Sequence, residues 1–396
     1  MKRVATFAAA LLTACSPKTQ ADTASPADTP AAQTEQAETE PVTAIPADFG
    51  TLTPQVAVDD VGAAMEFYVK AFGGKEMMRL PGPDGGLMHG EVMVGNSMIM
   101  IDKTNEGVKS PPKVGGTNVT LYMFVANADE TFKAAIDAGG KELMAPEDMF
   151  WGDRYGELED PSGHRWAIAT HIEEISAEQM QQRSQLMMEE MAKAAKAKKP
   201  PKKPKEPAWK SVAGTPAKSP VPEEYGTITM SLTVHDAAAA LDFYTKVLGG
   251  TERMRMPMPD GKLMHAEVEF EGSVLMLSDE VSPDRKSAKT LGGSPVMIHH
   301  YTSDAQAAHD KATGAGAHSI VAVQDMFWGD RYGAIVGPDG MAWGIATHIE
   351  DVTEEQMVER MKEATGGAHP ADAANPEGDA AAAGPDAGKP EPAAAQ

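Results

Sequence analysis

The chain of 396 residues has a single cysteine, Cys15, so an intramolecular disulfide is excluded. Positive charge is also scarce: 35 lysines and arginines stand against 58 aspartates and glutamates, a formal net charge of −23. That balance excludes a general nucleic-acid binder, which needs a basic surface to neutralise phosphates. Basic residues concentrate only in Lys193–Lys210, where eight lysines and four prolines read as an extended linker. The alternative reading of that charge is a contact with an anionic lipid or polymer. Apolar periodicity is missing from Ser16–Pro46 and from Gly366–Gln396, which are rich in Ala, Pro, Thr, Glu and Asp. Such segments cannot bury enough surface to offset chain entropy and are expected to be disordered.

The N-terminal apolar run, Val4–Leu12, is too short to span a bilayer. It follows the basic Met1-Lys2-Arg3 and leads into Leu12-Thr13-Ala14-Cys15. This pattern resembles a bacterial lipoprotein signal peptide. The resemblance implies cleavage before Cys15 and lipid on its thiol and new amino group, enough acyl chains for a firm membrane anchor. The alternative is an ordinary secretion signal with an incidental cysteine. Ser16 beside the modified cysteine resembles outer-membrane-directed lipoproteins. The expected location is therefore the cell envelope, on the periplasmic face of the outer membrane where the cell has one.

What the chain does have is an internal duplication. The octapeptide MFWGDRYG stands at Met149–Gly156 and again at Met326–Gly333. Leu87-Met88-His89 and Glu91-Val92 return as Leu263-Met264-His265 and Glu267-Val268, and Ile168–Glu173 returns as Ile345–Glu350. The offset is 176 up to the Met-His motif and 177 from Gly115/Gly292 onward. Each copy has roughly 130 residues, the size of a domain rather than of a solenoid unit.

Within one copy, Leu52–Val58 reads as a strand. Asp60 can cap a helix whose Val61, Met65, Tyr68 and Phe72 share one face, and Gly73-Gly74 ends it. Strands follow near Lys75–Leu80, Leu87–Val94 and Ser97–Asp102. The pattern then restarts with a strand at Asn118–Val125, a helix at Ala128–Ala138 and three more strands to about His171. The order βαβββ thus occurs four times. With Phe67-Tyr68 in the first helix and Asp160-Pro161-Ser162-Gly163-His164 before the last strand, it resembles the vicinal oxygen chelate superfamily of glyoxalase I, bleomycin-resistance proteins and extradiol dioxygenases. The Met-His-x-Glu and Phe-Trp-Gly-Asp-Arg-Tyr-Gly strings are similar to its PhnB-like branch.

The resemblance implies an α+β fold of two tandem domains, each built from two βαβββ modules that form a curved sheet around a cleft. The expected division is a signal peptide (1–14), a disordered tether (15–48), domain 1 (49–180), a helical and then Lys/Pro-rich linker (181–225), domain 2 (226–358) and a disordered tail (366–396). Single-domain relatives often dimerise, so the two domains are expected to pair within the chain.

Catalytic members of the superfamily hold a divalent metal with side chains from the first, fourth, fifth and eighth strands. Carried over, those positions are Thr53, a residue near Met100, Thr120 and Ala167 in the first copy, and Thr229, a residue near Met276, Met297 and Gly344 in the second. None is a usual ligand, since the ion needs His, Glu or Gln donors. No cofactor is expected, and a divalent metal enters only through a rearranged site. Strand alternation puts Gln55, Tyr122 and His171 on the cleft face of the first copy. It puts Ser231, His299, Tyr301 and His348 on that of the second. His299 and His348 are the candidate catalytic groups. Trp151, Arg154 and Tyr155, with Trp328, Arg331 and Tyr332, read either as a ligand-binding rim or as a structural turn. The His89/Glu91 and His265/Glu267 pairs share a strand face at i, i+2, which suits an acid–base pair or plain solvent-facing alternation.

The expected function is binding of a small organic molecule without the usual metal chemistry, with the membrane as a second partner through Cys15. One alternative is a glyoxalase-like lyase or isomerase with a rearranged metal or histidine site in the second copy, in which His299, His348, His265 and Glu267 would take part. Another is a non-catalytic interaction protein of the envelope.

Overall fold

The computed structural model describes residues 42–82, 85–104, 108–196, 206–222 and 224–364. Cys15, the signal peptide and the C-terminal tail lie outside them. The first copy supplies strands β1 (Leu52–Val58), β2 (Lys75–Pro81), β3 (Leu87–Val94) and β4 (Ser97–Lys103). It continues with β5 (Val119–Phe124), β6 (Lys141–Asp148), β7 (Asp153–Glu159) and β8 (Arg165–His171). Two-residue strands β9 (Glu173–Glu174) and β10 (Thr215–Pro216) follow. The second copy supplies β11 (Ile228–Val234), β12 (Thr251–Pro257), β13 (Leu263–Phe270) and β14 (Ser273–Asp279). Its remaining strands are β15 (Val296–Tyr301), β16 (His318–Asp325), β17 (Asp330–Val336) and β18 (Ala342–His348).

The expected helices form on their signals. Helix α1 (Val61–Phe72) is capped by Asp60, whose carboxylate accepts from the Ala63 N–H at 3.0 Å. It stops at Gly73, which takes the left-handed conformation. Helix α2 (Ala128–Asp137) carries Asn127 as its cap. In the second copy, α4 (Ala237–Lys246) and α5 (Ala305–Gly314) repeat them with Asp236 and Asp304 as caps. Between the copies runs α3 (Ala177–Lys196), and α6 (Glu354–Ala364) follows β18.

The strands assemble into two eight-stranded sheets, and neither belongs to one copy. The first runs β16-β17-β18-β15-β1-β4-β3-β2; the second runs β12-β13-β14-β11-β5-β8-β7-β6. Each therefore joins the first module of one copy to the second module of the other. The seams are antiparallel and equivalent: Thr53 opposes His299 and Gln55 opposes Met297 across β1 and β15, while Thr229 opposes Tyr122 and Ser231 opposes Thr120 across β11 and β5. The α+β class and the tandem domains are as expected. The exchange of modules is what separates this architecture from a sheet closed within each copy.

The two modules of one copy meet instead through the core. Tyr68 on α1 donates to Asp160 at 2.9 Å, and Trp166 on β8 donates to the same carboxylate oxygen at 3.0 Å. All three are buried, and Tyr68 and Trp166 rings lie 5.2 Å apart. Residues such as Val56, Ile99, Leu121, Ile298 and Ile345 point from both sheets into this one continuous core. Burying each such side chain stabilises by about 1.5–3 kcal/mol.

Two stretches read as tether or linker are built into the fold. Residues 42–48 pack along the first sheet, where the His348 N–H donates to the Ala44 carbonyl at 3.0 Å. The equivalent bond in the second sheet runs from the His171 N–H to Pro220 at 2.9 Å. Trp209, in the Lys/Pro-rich stretch, is buried under the guanidinium of Arg183, 5.1 Å from its ring centre. Arg183 in turn donates to the carbonyls of Val212 and Phe150 and to Glu173. Composition suggested a disordered tether for the first stretch and an extended linker for the second, where proline and lysine dominate. A single tryptophan and a cluster of backbone acceptors are enough to anchor the segment.

Candidate functional site

The repeated octapeptide makes a turn and a polar hub. Gly152 and Gly329 have φ of 98° and 97°, and a side chain there would stand 2.3 and 2.0 Å from the carbonyl oxygens of Glu173 and Glu350. Only glycine fits. The aspartate that follows begins β7 or β17 and gathers three donors. Asp153 accepts from Tyr122 at 2.7 Å, Trp151 at 3.0 Å and His171 at 2.9 Å. Asp330 accepts from Tyr301 at 3.0 Å, Trp328 at 3.1 Å and His348 at 2.9 Å. The arginines turn away: Arg154 pairs with Asp129 and Asp148, and Arg331 with Asp325.

The first sheet carries a cavity of about 490 Å³ on the face opposite the core. Its wall is mostly apolar, with Met78, Met88, Met100, Met297, Met326 and Met357 prominent. Both copies contribute. Gln55, His89, Glu91 and Asp102 come from the first; His299, Tyr301, Trp328, Tyr332 and His348 come from the second. Gln55 Nε2 donates to Asp102, and His89 Nδ1 lies 2.6 Å from the other oxygen of that carboxylate. Burial pulls the His89 pKa down, but the charge and hydrogen bond of Asp102, with Glu91, outweigh it and raise it to about 10. His348 is likewise raised: burial lowers it, and hydrogen bonds to Asp351 and Asp330 prevail.

His299 is the opposite case. It is 3% exposed, and its Nε2 has no hydrogen-bond partner. Burial first, then the neighbouring His300, depress its pKa to about 3, so the imidazole is neutral at ordinary pH.

The second sheet repeats the cleft with different contents. Arg285 reaches across it, donating to Thr120 at 2.8 Å and to Glu157, which also accepts from Tyr155. Tyr122, Phe124, Tyr155 and Met276 are buried together there with Tyr225 against them. The counterparts of Thr120 and Glu157 in the first cleft are Met297 and Ala334, which line the open cavity. A carboxylate and its arginine fill one cleft where an alanine leaves room in the other.

The exchange of modules re-sorts the candidates drawn up copy by copy. Gln55 joins His299, Tyr301 and His348 in the first cleft, whereas Ser231, His265 and Glu267 face Tyr122 and Tyr155 in the second. The pairing of His299 with His265 and Glu267 is thereby corrected. Asp102, Arg285 and Phe49 were missed. The signal for Asp102 lay in the copy comparison, where its counterpart is Ser278.

A family model described as glyoxalase/bleomycin resistance protein/dioxygenase superfamily matches residues 50–168 and 226–345. The chain belongs to that superfamily. The uncharacterized protein Rv0887c of Mycobacterium tuberculosis is 39% identical over 135 residues, 33% of this chain and 79% of that protein. The uncharacterized protein Mb0911c of Mycobacterium bovis matches equally, over 89% of its length. Among solved structures, glyoxalase I from Zea mays is similar at 14% identity with a TM-score of 0.47, covering 78% of this chain and 96% of that one.

The superfamily's usual metal can be tested against the residues present. Exchange brings Thr53, Met100, Met297 and Gly344 together in the first cleft, and Thr229, Met276, Thr120 and Ala167 in the second. Thioethers, hydroxyls and residues without a donor do not fit an ion that takes imidazole and carboxylate. Among the described residues no three His, Cys, Asp or Glu side chains converge with metal-binding geometry.

Proposed function

We propose that the chain binds a small organic molecule in the first cleft, without the superfamily's usual metal chemistry. The carrying observation is the asymmetry of the clefts. One holds an apolar cavity of about 490 Å³ with a few polar groups, within the size range of ligand pockets. The other is crossed by Arg285. Thermal-shift screening against apolar and aromatic compounds tests this, because a ligand specific to the native state raises apparent stability. Stabilisation in the wild type that vanishes in Ala334→Trp supports the reading; stabilisation that survives the filled cleft refutes it.

A second reading makes the first cleft catalytic, with His299 as a general base. The partnerless Nε2 of a buried, neutral imidazole favours it. Turnover of a carbonyl substrate that is abolished in His299→Gln, with binding retained, would establish it.

Anchoring at the envelope through lipid on Cys15 belongs to the same proposal and rests on the signal-like N-terminus. Incorporation of labelled fatty acid that persists in Cys15→Ala would refute it.

A further inference from the structure

The duplication offers an internal control for the ligand's chemistry. Phe49 in the first copy corresponds to Tyr225 in the second, each preceding a Gly-Thr pair. Each closes the same turn, Phe49 N–H to Pro46 at 3.0 Å and Tyr225 N–H to Pro222 at 3.2 Å. Each ring lies against an aromatic of the central strand, 5.6 Å from Tyr301 and 5.2 Å from Phe124 respectively. Facing them are Glu91 and Glu267, which oppose Met100 and Met276 in the same register.

The two glutamates differ in what they receive. Glu267 accepts the Tyr225 hydroxyl at 2.7 Å and lies 3.0 Å from His265 Nε2, with Arg253 at 3.8 Å. Phe49 has no hydroxyl, and the counterpart of Arg253 is Met77. Glu91 keeps a single long contact, His89 Nε2 at 3.4 Å. It is 9% exposed and lines the cavity. A carboxylate taken this far from water needs a donor. In the second cleft the chain provides that donor as a tyrosine hydroxyl. Asp102 and Asp330 are already paired with His89 and His348, which leaves Glu91 as the carboxylate short of a donor, and the donor the chain itself uses at the equivalent place is a neutral hydroxyl.

We infer that the first cleft takes an apolar molecule with a hydroxyl group, and that the hydroxyl donates to Glu91 as Tyr225 does to Glu267. This rests on the reading of that cleft as a small-molecule site.

Fluorescence titration of the full chain with naphthol, naphthalene and naphthylmethylamine tests it. Naphthol is expected to bind the wild type about tenfold more tightly than naphthalene, the worth of one buried hydrogen bond to a charged acceptor. Phe49→Tyr supplies the hydroxyl from within and should erase that advantage, leaving naphthalene binding in place. Glu91→Gln should shrink it. Equal binding of naphthol and naphthalene overturns the inference while leaving the cleft as a binding site. Tightest binding of the amine overturns it in favour of a cation. Failure of all three probes to bind overturns the inference and the reading beneath it.

Discussion

His299 and Tyr332 stack across the intervening strand β18, ring centroids 5.7 Å apart and planes 17° from parallel. The residue between them is Gly344, which opposes His299 on one side and Ala334 on the other. A side chain there would stand 2.8 Å from the Tyr332 ring. The second cleft has Ala167 at this place, and its Tyr122 and Tyr155 rings are tilted by 41°.

Gly344→Ala is therefore expected to push Tyr332 off His299 while the sheet persists, since Ala167 is accommodated at the equivalent position. The cost should be about 1 kcal/mol, that of a modest overpacking. Proton NMR checks it: the ring-current shift on the His299 imidazole should fall. An unchanged shift would mean that the stack does not depend on the glycine.

His299 makes stability depend on acid. Its folded pKa is depressed to about 3 against an ordinary 6.5, so the stability it permits is present above pH 6.5 and is lost as pH falls toward 3. Relative to His299→Gln, the wild type should lose on the order of 2 kcal/mol between pH 6.5 and 4. Parallel urea curves for the two proteins across this window would contradict the assignment.

His89 works in the other direction. Its folded pKa of about 10 lies above the ordinary value, so its contribution is complete below pH 6.5 and is lost as pH rises toward 10. The wild type should lose on the order of 3 kcal/mol relative to His89→Gln over that range. Asp102→Asn should remove most of this dependence, because Asp102 supplies the main opposing charge.

Asp153 holds three buried or half-buried donors, so Asp153→Ala should cost about 3 kcal/mol or more. Asp153→Asn keeps one acceptor oxygen and should cost less. Chemical denaturation orders the two variants; equal losses would show that packing, not hydrogen bonding, sets the value.

Much of the fold was legible because the signals are local. Asp60 and Asp236 announce helix starts, Gly73 announces a stop, and β-strand alternation sorts Val56 from Gln55. The exchange of modules was not legible, since β1 pairs with β15 across more than half the chain and nothing near Leu52 or Val296 encodes the partner. The cleft residues were found one at a time but grouped by copy, which joined His299 to the wrong glutamate. The MFWGDRYG repeat reads either as a ligand-binding rim of Trp, Arg and Tyr or as a structural turn. Its chemistry lies instead in the aspartate, whose partners Tyr122 and His171 are distant in sequence. Arg285 gave no signal at all, because its role depends on Glu157, 128 positions earlier.

The module exchange also has a consequence for how the protein is made. While the first copy leaves the ribosome, β1 and β5 each have an open edge, and their partners β15 and β11 are not yet synthesised. Unpaired strand edges recruit whatever strand is near. A nascent first copy thus has a competing partner in the first copy of a neighbouring chain, and this competition ends only when β15 has emerged. Expression slowed between the two copies should therefore favour entangled dimers over the self-paired monomer.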